Sequence, residues 1–117
     1  MKRIVGMIMS DDKYVESAKE LVDKLIKENN ESIENIYCAY CGREKITNKT
    51  IYRVIRSCDN VRGNKFHDVY IFGNVNRKIY SIINVGVIPH EKDDLNSYSY
   101  EDHIRFIDGG IVDAIKN

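Results

Sequence analysis

The chain has 117 residues, 43% apolar and 31% charged, which leaves room for one domain with one core and lies far from the composition of disordered chains. No stretch approaches the roughly 18 apolar residues of a membrane span, so no membrane partner is expected. Three Cys is an odd number, which argues against a secreted disulfide framework and for a reducing, cytoplasmic setting.

Residues 4–9 are continuously apolar, the pattern of a strand covered on both faces. Lys2-Arg3 ahead of this run superficially imitates a secretion signal, but Ser10-Asp11-Asp12-Lys13 breaks it and no small-residue cleavage site follows. Ser10 is a good helix N-cap, with Asp11 and Asp12 favourably placed against the helix dipole. Val15, Ala18, Val22, Leu25 and Ile26 then recur at helical spacing until Asn29-Asn30. Residues 33–40 predict a second strand, completing a β-α-β unit. Thr47 or Asn48 caps a predicted helix to about Cys58, with Ile51, Val54, Ile55 and Cys58 on one face and Lys49, Arg53 and Arg56 on the other. Residues 66–72 and 78–88 predict two strands joined in a hairpin across Gly73-Asn74-Val75-Asn76. Pro89 closes the hairpin, and a polar loop runs on to Tyr98. Ser99 caps a last helix carrying Ile104, Ile107, Ile111, Ala114 and Ile115, which Gly109-Gly110 either breaks in two or turns into a hairpin; the broken helix is the expectation. The predicted order is β-α-β-α-β-β-α. It implies a single α/β domain over residues 1–117, with a mixed four-stranded sheet and helices packed on it.

Every Cys lies between residues 38 and 58. Cys38-Ala39-Tyr40-Cys41 admits three readings. A C-x-x-C at a strand end that opens a helix has a lowered first thiol pKa, and the motif resembles the Cys-x-Tyr-Cys of glutaredoxins. That resemblance covers four residues and a compatible element order; it implies a thioredoxin-like fold and redox thiols at Cys38 and Cys41. Alternatively, the two Cys form a knuckle completed by Cys58 and His67, for which zinc is the cofactor. The plain third reading buries the thiols in the core, since free Cys is among the most buried residue types.

Charge is uneven although the net is zero. Residues 43–65 hold seven Lys and Arg against Glu44 and Asp59, and residues 91–113 hold seven Asp and Glu against Lys92 and Arg105. A basic middle and an acidic tail fit an anion-binding face, a homodimer of unlike patches, or two solvated faces. Tyr37, Tyr40 and Tyr52 lie near the basic run in sequence and could stack on bases. His67-Asp68, His90-Glu91 and His103 invite a hydrolase reading, yet there is no His-x-His, H-E-x-x-H or G-x-S-x-G. Glu91, Asp93 and Asp94 lack EF-hand spacing. No motif names a reaction.

The leading expectation is therefore a binding protein for a nucleotide or nucleic acid. Its phosphate contacts would be Arg43, Lys49, Arg53, Arg56, Arg62 and Lys65, with no cofactor. Redox or zinc chemistry at Cys38, Cys41, Cys58 and His67 is the alternative. A protein–protein adaptor or inhibitor, viral among the options, is the third.

Overall fold

The structure, a computed structural model, describes residues 1–39, 42–57 and 61–113, with the backbone alone for 35–39, 42 and 43. The apolar run forms β1 (Arg3–Met9) as expected. The helix that follows is α1 (Val15–Glu28), entered through a 3-10 turn over Asp12–Tyr14. Asp11 rather than Ser10 caps that turn, its carboxylate accepting the Lys13 N–H at 2.9 Å. Ala18, Val22 and Ile26 are the buried stripe of α1, and Asn30 ends it with a φ of 52°.

β2 (Ile33–Ala39), β3 (Gly42–Thr47) and β4 (Thr50–Arg56) make an antiparallel meander. This corrects the helix expected over 48–58. Apolar residues there serve both faces of a strand: Tyr52 and Val54 pack under α1, and Ile55 packs on the opposite side. A stretch of β-branched and aromatic residues covered on both sides imitates helical spacing. Thr47 fixes the turn into β4, its hydroxyl oxygen accepting the N–H groups of Lys49 (3.1 Å) and Thr50 (2.9 Å).

β5 (Asp68–Phe72) leads through Gly73 to the two-residue β6 (Val75–Asn76) and then α2 (Arg77–Gly86). Residues 78–88 are thus mainly helix, not the second arm of a hairpin. Asn76 caps α2 by accepting the Ile79 N–H at 2.8 Å, and Ile83 and Gly86 are buried against the sheet. The C-terminal segment is neither a broken helix nor a hairpin. A 3-10 turn over Tyr100–His103 enters β7 (Ile104–Ile107), and β8 (Ile111–Val112) pairs with β6 instead of β7.

The main sheet has six strands rather than four, in the order β2-β3-β4-β1-β5-β7. β4, β1, β5 and β7 run parallel, with the meander at one end. The first β-α-β unit is therefore split, because β4 and β3 stand between β1 and β2. The two helices cover opposite faces. Val5, Met7, Met9, Tyr52, Val54 and Phe72 meet α1; Ile8, Ile55, Val69 and Ile71 meet α2 together with Phe66. Fully buried side chains such as Phe66, Ile71 and Ile8 each contribute about 1.5–3 kcal/mol on leaving water. Gly6 admits the Phe66 ring, which would stand 2.7 Å from a Cβ there. Among the described residues, no helix is long and apolar enough to cross a membrane.

Candidate functional site

One helix per face does not cover six strands. α1 sits over β1 and β4, so its face of β5 and β7 is open. The register places Val5, Asp68, Tyr70 and Arg105 on that face. They floor an open cleft of about 790 Å³ at the amino ends of the parallel strands. Leu25, Asn29 and Glu31, from the end of α1 and just beyond it, form one wall with Lys49, Thr50 and Tyr52; Lys2, His90 and Lys92 stand around the rest.

A charged cluster anchors one side of this cleft. Arg3 Nε donates to Asp68 Oδ2, and Arg3 Nη2 reaches Asp93 Oδ1 at 3.2 Å. Burial opposes the Arg3 charge, but Asp68 and Asp93 outweigh it and raise its pKa. Burial likewise works against the Asp93 carboxylate, and is outweighed by the His90 N–H (2.8 Å) and by Arg3, which together hold its pKa below the usual range. The second Asp68 oxygen lies 2.9 Å from His103 Nδ1. A carboxylate paired with Arg3 accepts, so the proton of that bond is on Nδ1. Arg3 Nη2 is also 3.4 Å from Nδ1, the weaker contact. The Tyr98 ring stacks on His103, with centroids 4.8 Å apart and planes 18° apart. The Tyr98 hydroxyl is buried without a hydrogen-bond partner among the described residues. Burial first, then Asp93 and Asp68, pushes its pKa up.

The other two histidines are held differently. His67 is 2% exposed, and its Nδ1 accepts the Ile4 N–H at 2.8 Å. Its pKa is lowered by burial, then by His90 and Arg3. His90 Nδ1 accepts the Lys92 N–H (3.1 Å) and its Nε2 donates to the Met1 carbonyl (2.8 Å). The two rings meet edge to face at 4.7 Å.

Glu31, in the opposite wall, accepts from the hydroxyls of Thr47, Thr50 (3.1 Å) and Tyr52 (3.0 Å). Burial, then Glu31, raises the Tyr52 pKa far above its ordinary value. This carboxylate ties α1 to the meander. Arg105 lies across Tyr70, its guanidinium 5.6 Å from the ring centroid and Nη1 3.4 Å from the hydroxyl. Lys49 Nζ donates to the Asn29 carbonyl at 3.1 Å. Lys49, Lys92 and Arg105 form no salt bridge among the described residues.

Of the residues expected to bind phosphate whose side chains are described, only Lys49 lines the cleft. Without the helix there is no basic helix face. Arg53 shares the α2 side of the sheet with Ile55 and pairs with Glu44 at 2.8 Å; Arg56 points to the α1 side and pairs with Asp12 at 3.3 Å. Arg62 and Lys65 are exposed on the connection to β5. The Arg43 and Cys38 side chains, and all of Tyr40, Cys41 and Cys58, lie outside the described residues. Gly42 begins a strand, so no helix N-terminus follows Cys41 to lower a thiol pKa. Among the described residues no cluster of His, Cys, Asp or Glu is arranged to hold a metal ion. The sequence reading missed Arg3, Tyr70, Arg105 and the Asp68–His103 pair; His-Asp adjacency drew attention to Asp68, but through the wrong histidine.

No family model, curated protein or solved structure matches the chain.

Proposed function

We propose that the protein binds a nucleotide, or a phosphate-bearing ligand of that size, in the cleft at the amino ends of the parallel strands. The observation that carries this reading is the convergence of Lys49, Lys92 and Arg105, three cations without a carboxylate partner among the described residues, on one cleft beside Tyr70. Unneutralised cations around a concave site attract a polyanion, and the half-buried Tyr70 ring, with Arg105 across it, adds an aromatic edge beside which a base can lie. The volume, about 790 Å³, suits a small molecule rather than a polymer track. The phosphate expectation thus moves from a helix face to a cleft, with Lys49 common to both.

Calorimetric titration with ATP, ADP and orthophosphate tests the reading. Binding is expected to weaken as salt rises, and Lys49→Glu with Arg105→Glu is expected to raise Kd at least about tenfold, the equivalent of about 1.4 kcal/mol. Arg62→Glu, outside the cleft, is expected to leave Kd unchanged. Absence of binding at millimolar nucleotide, or a double variant that binds like the wild type, overturns the proposal.

A further inference from the structure

The geometry points to a hydrolytic step in the same cleft: His103 acts as general base on water attacking a phosphoanhydride of the bound nucleotide. The inference rests on the nucleotide-binding reading above and adds a reaction to it.

Among the described residues, His103 is the one imidazole able to take a proton from the cleft. His90 has both ring nitrogens hydrogen-bonded to backbone, and His67 is buried with Nδ1 engaged by Ile4. His103 directs Nδ1–H to Asp68, so the Nε2 lone pair is free of any hydrogen bond among the described residues, and the residue lines the cleft. Three neighbours fix that state. Arg3 holds Asp68 as an acceptor, Asp68 sets the tautomer, and Tyr98 sets the ring plane. A base oriented by a third group is the arrangement general-base catalysis requires.

The charge around the base favours one substrate class. Lys49, Lys92 and Arg105 line the cleft as cations, and positive charge favours a leaving group that departs as an anion. A phosphate oxygen does so readily, whereas an alkoxide does not; this favours a phosphoanhydride over an alkyl phosphodiester. In the step, water oxygen bonds to the terminal phosphorus as its proton passes to His103 Nε2. The bond from phosphorus to the bridging oxygen breaks, and its electron pair stays on the shortened nucleotide. Orthophosphate leaves, and the imidazolium, facing Asp68, returns its proton to solvent. Lys49, Lys92 and Arg105 offset charge on the phosphate oxygens.

The test follows orthophosphate release from ATP, ADP and a dinucleotide phosphodiester, with and without added magnesium, alongside calorimetric Kd values for a methylene-bridged triphosphate. Release from the anhydrides alone is expected. His103→Ala is expected to lower kcat on the order of 10²-fold while Kd moves less than about threefold, and added imidazole should restore part of the rate. His103→Gln, which retains an N–H donor for Asp68, should show the same loss and guards against misfolding as the cause. Tight binding without release overturns hydrolysis and leaves the binding reading standing. Wild-type turnover in both His103 variants overturns the base assignment, cleavage of the phosphodiester overturns the substrate class, and absence of nucleotide binding overturns both proposals.

Discussion

The two ends of the parallel strands are built from different materials. At the carboxyl ends, contacts are mainly backbone to backbone. Ser10 N–H donates to Phe72 O (2.9 Å), Ser57 N–H to Met9 O (2.7 Å), Gly73 N–H to Asp108 O (2.7 Å) and Val75 N–H to Gly110 O (3.0 Å). At the amino ends, side chains dominate: Arg3, Asp68, Asp93 and His103 bond to one another, and Lys49, Lys92 and Arg105 around them have no carboxylate partner among the described residues. Connections leave β1 and β5 toward opposite sides of the sheet. Open α/β sheets ordinarily hold ligands in the crevice outside the carboxyl ends at such a point. Here Ser10 and Tyr14 press on Gly73, and Gly109 packs on the Gly73 backbone, so that crevice is filled. Topology nominates a site, while packing decides which end of the strands has room for one.

The sharpest way to break the contrast is to push the closed end open. Gly73 has φ +88°, and a Cβ there would strike Ser10 and stand 2.7 Å from Tyr14. Gly73→Ala is expected to cost roughly 2–5 kcal/mol from backbone strain and overpacking together. Gly63→Ala, at φ +84° with nothing within 4 Å, should show the strain alone; equal losses in urea unfolding would refute the interlock. A smaller effect is expected at the polar end. Arg3→Met leaves Asp68 and Asp93, with side chains 14% and 15% exposed, without their shared cation, and should cost about 2–3 kcal/mol at neutral pH. A loss below about 0.5 kcal/mol would place that network among ordinary surface pairs.

The smallest effect is graded in pH. The His67 pKa is lowered in the folded state, so the unfolded chain binds its proton first. Stability should be level above the ordinary histidine value of about 6.5 and fall as pH drops below it, by at most about 1.4 kcal/mol per pH unit. His67→Asn keeps an acceptor for the Ile4 N–H and should flatten this slope. A slope unchanged in that variant would assign it to other groups.

The sequence showed what is local and uniform in pattern. β1 was legible because both its faces are buried, and α1 because Ala18, Val22 and Ile26 form one stripe with a polar remainder. β4 and α2 were exchanged in kind. Ile51, Val54 and Ile55 satisfy helical spacing, yet Val54 and Ile55 cover opposite faces of a strand. α2 is rich in Ile, which disguises a helix as a strand, and the cue that could have exposed it was the Asn76 cap. The site was illegible for another reason. Arg3, Asp68, Asp93 and His103 come from four separate stretches of the chain, brought together by the order of the strands and by the loop that carries Asp93, so no spacing rule could have grouped them.

The sheet order also dictates when each strand can find its neighbours. In the meander β2-β3-β4, strands adjacent in space are adjacent in the chain. β1, by contrast, sits between β4 and β5, both of which come much later. During synthesis β1 is made before β4 and β5 and waits for both, while the meander can assemble as soon as its turns emerge. Pairings of long sequence separation slow folding, so docking of β1 and α1 onto the meander is the expected slow step. Weakening the β1–β4 contact should lower the refolding rate more than weakening the β2–β3 contact. The interval before docking is when an unpaired apolar strand is most exposed to aggregation.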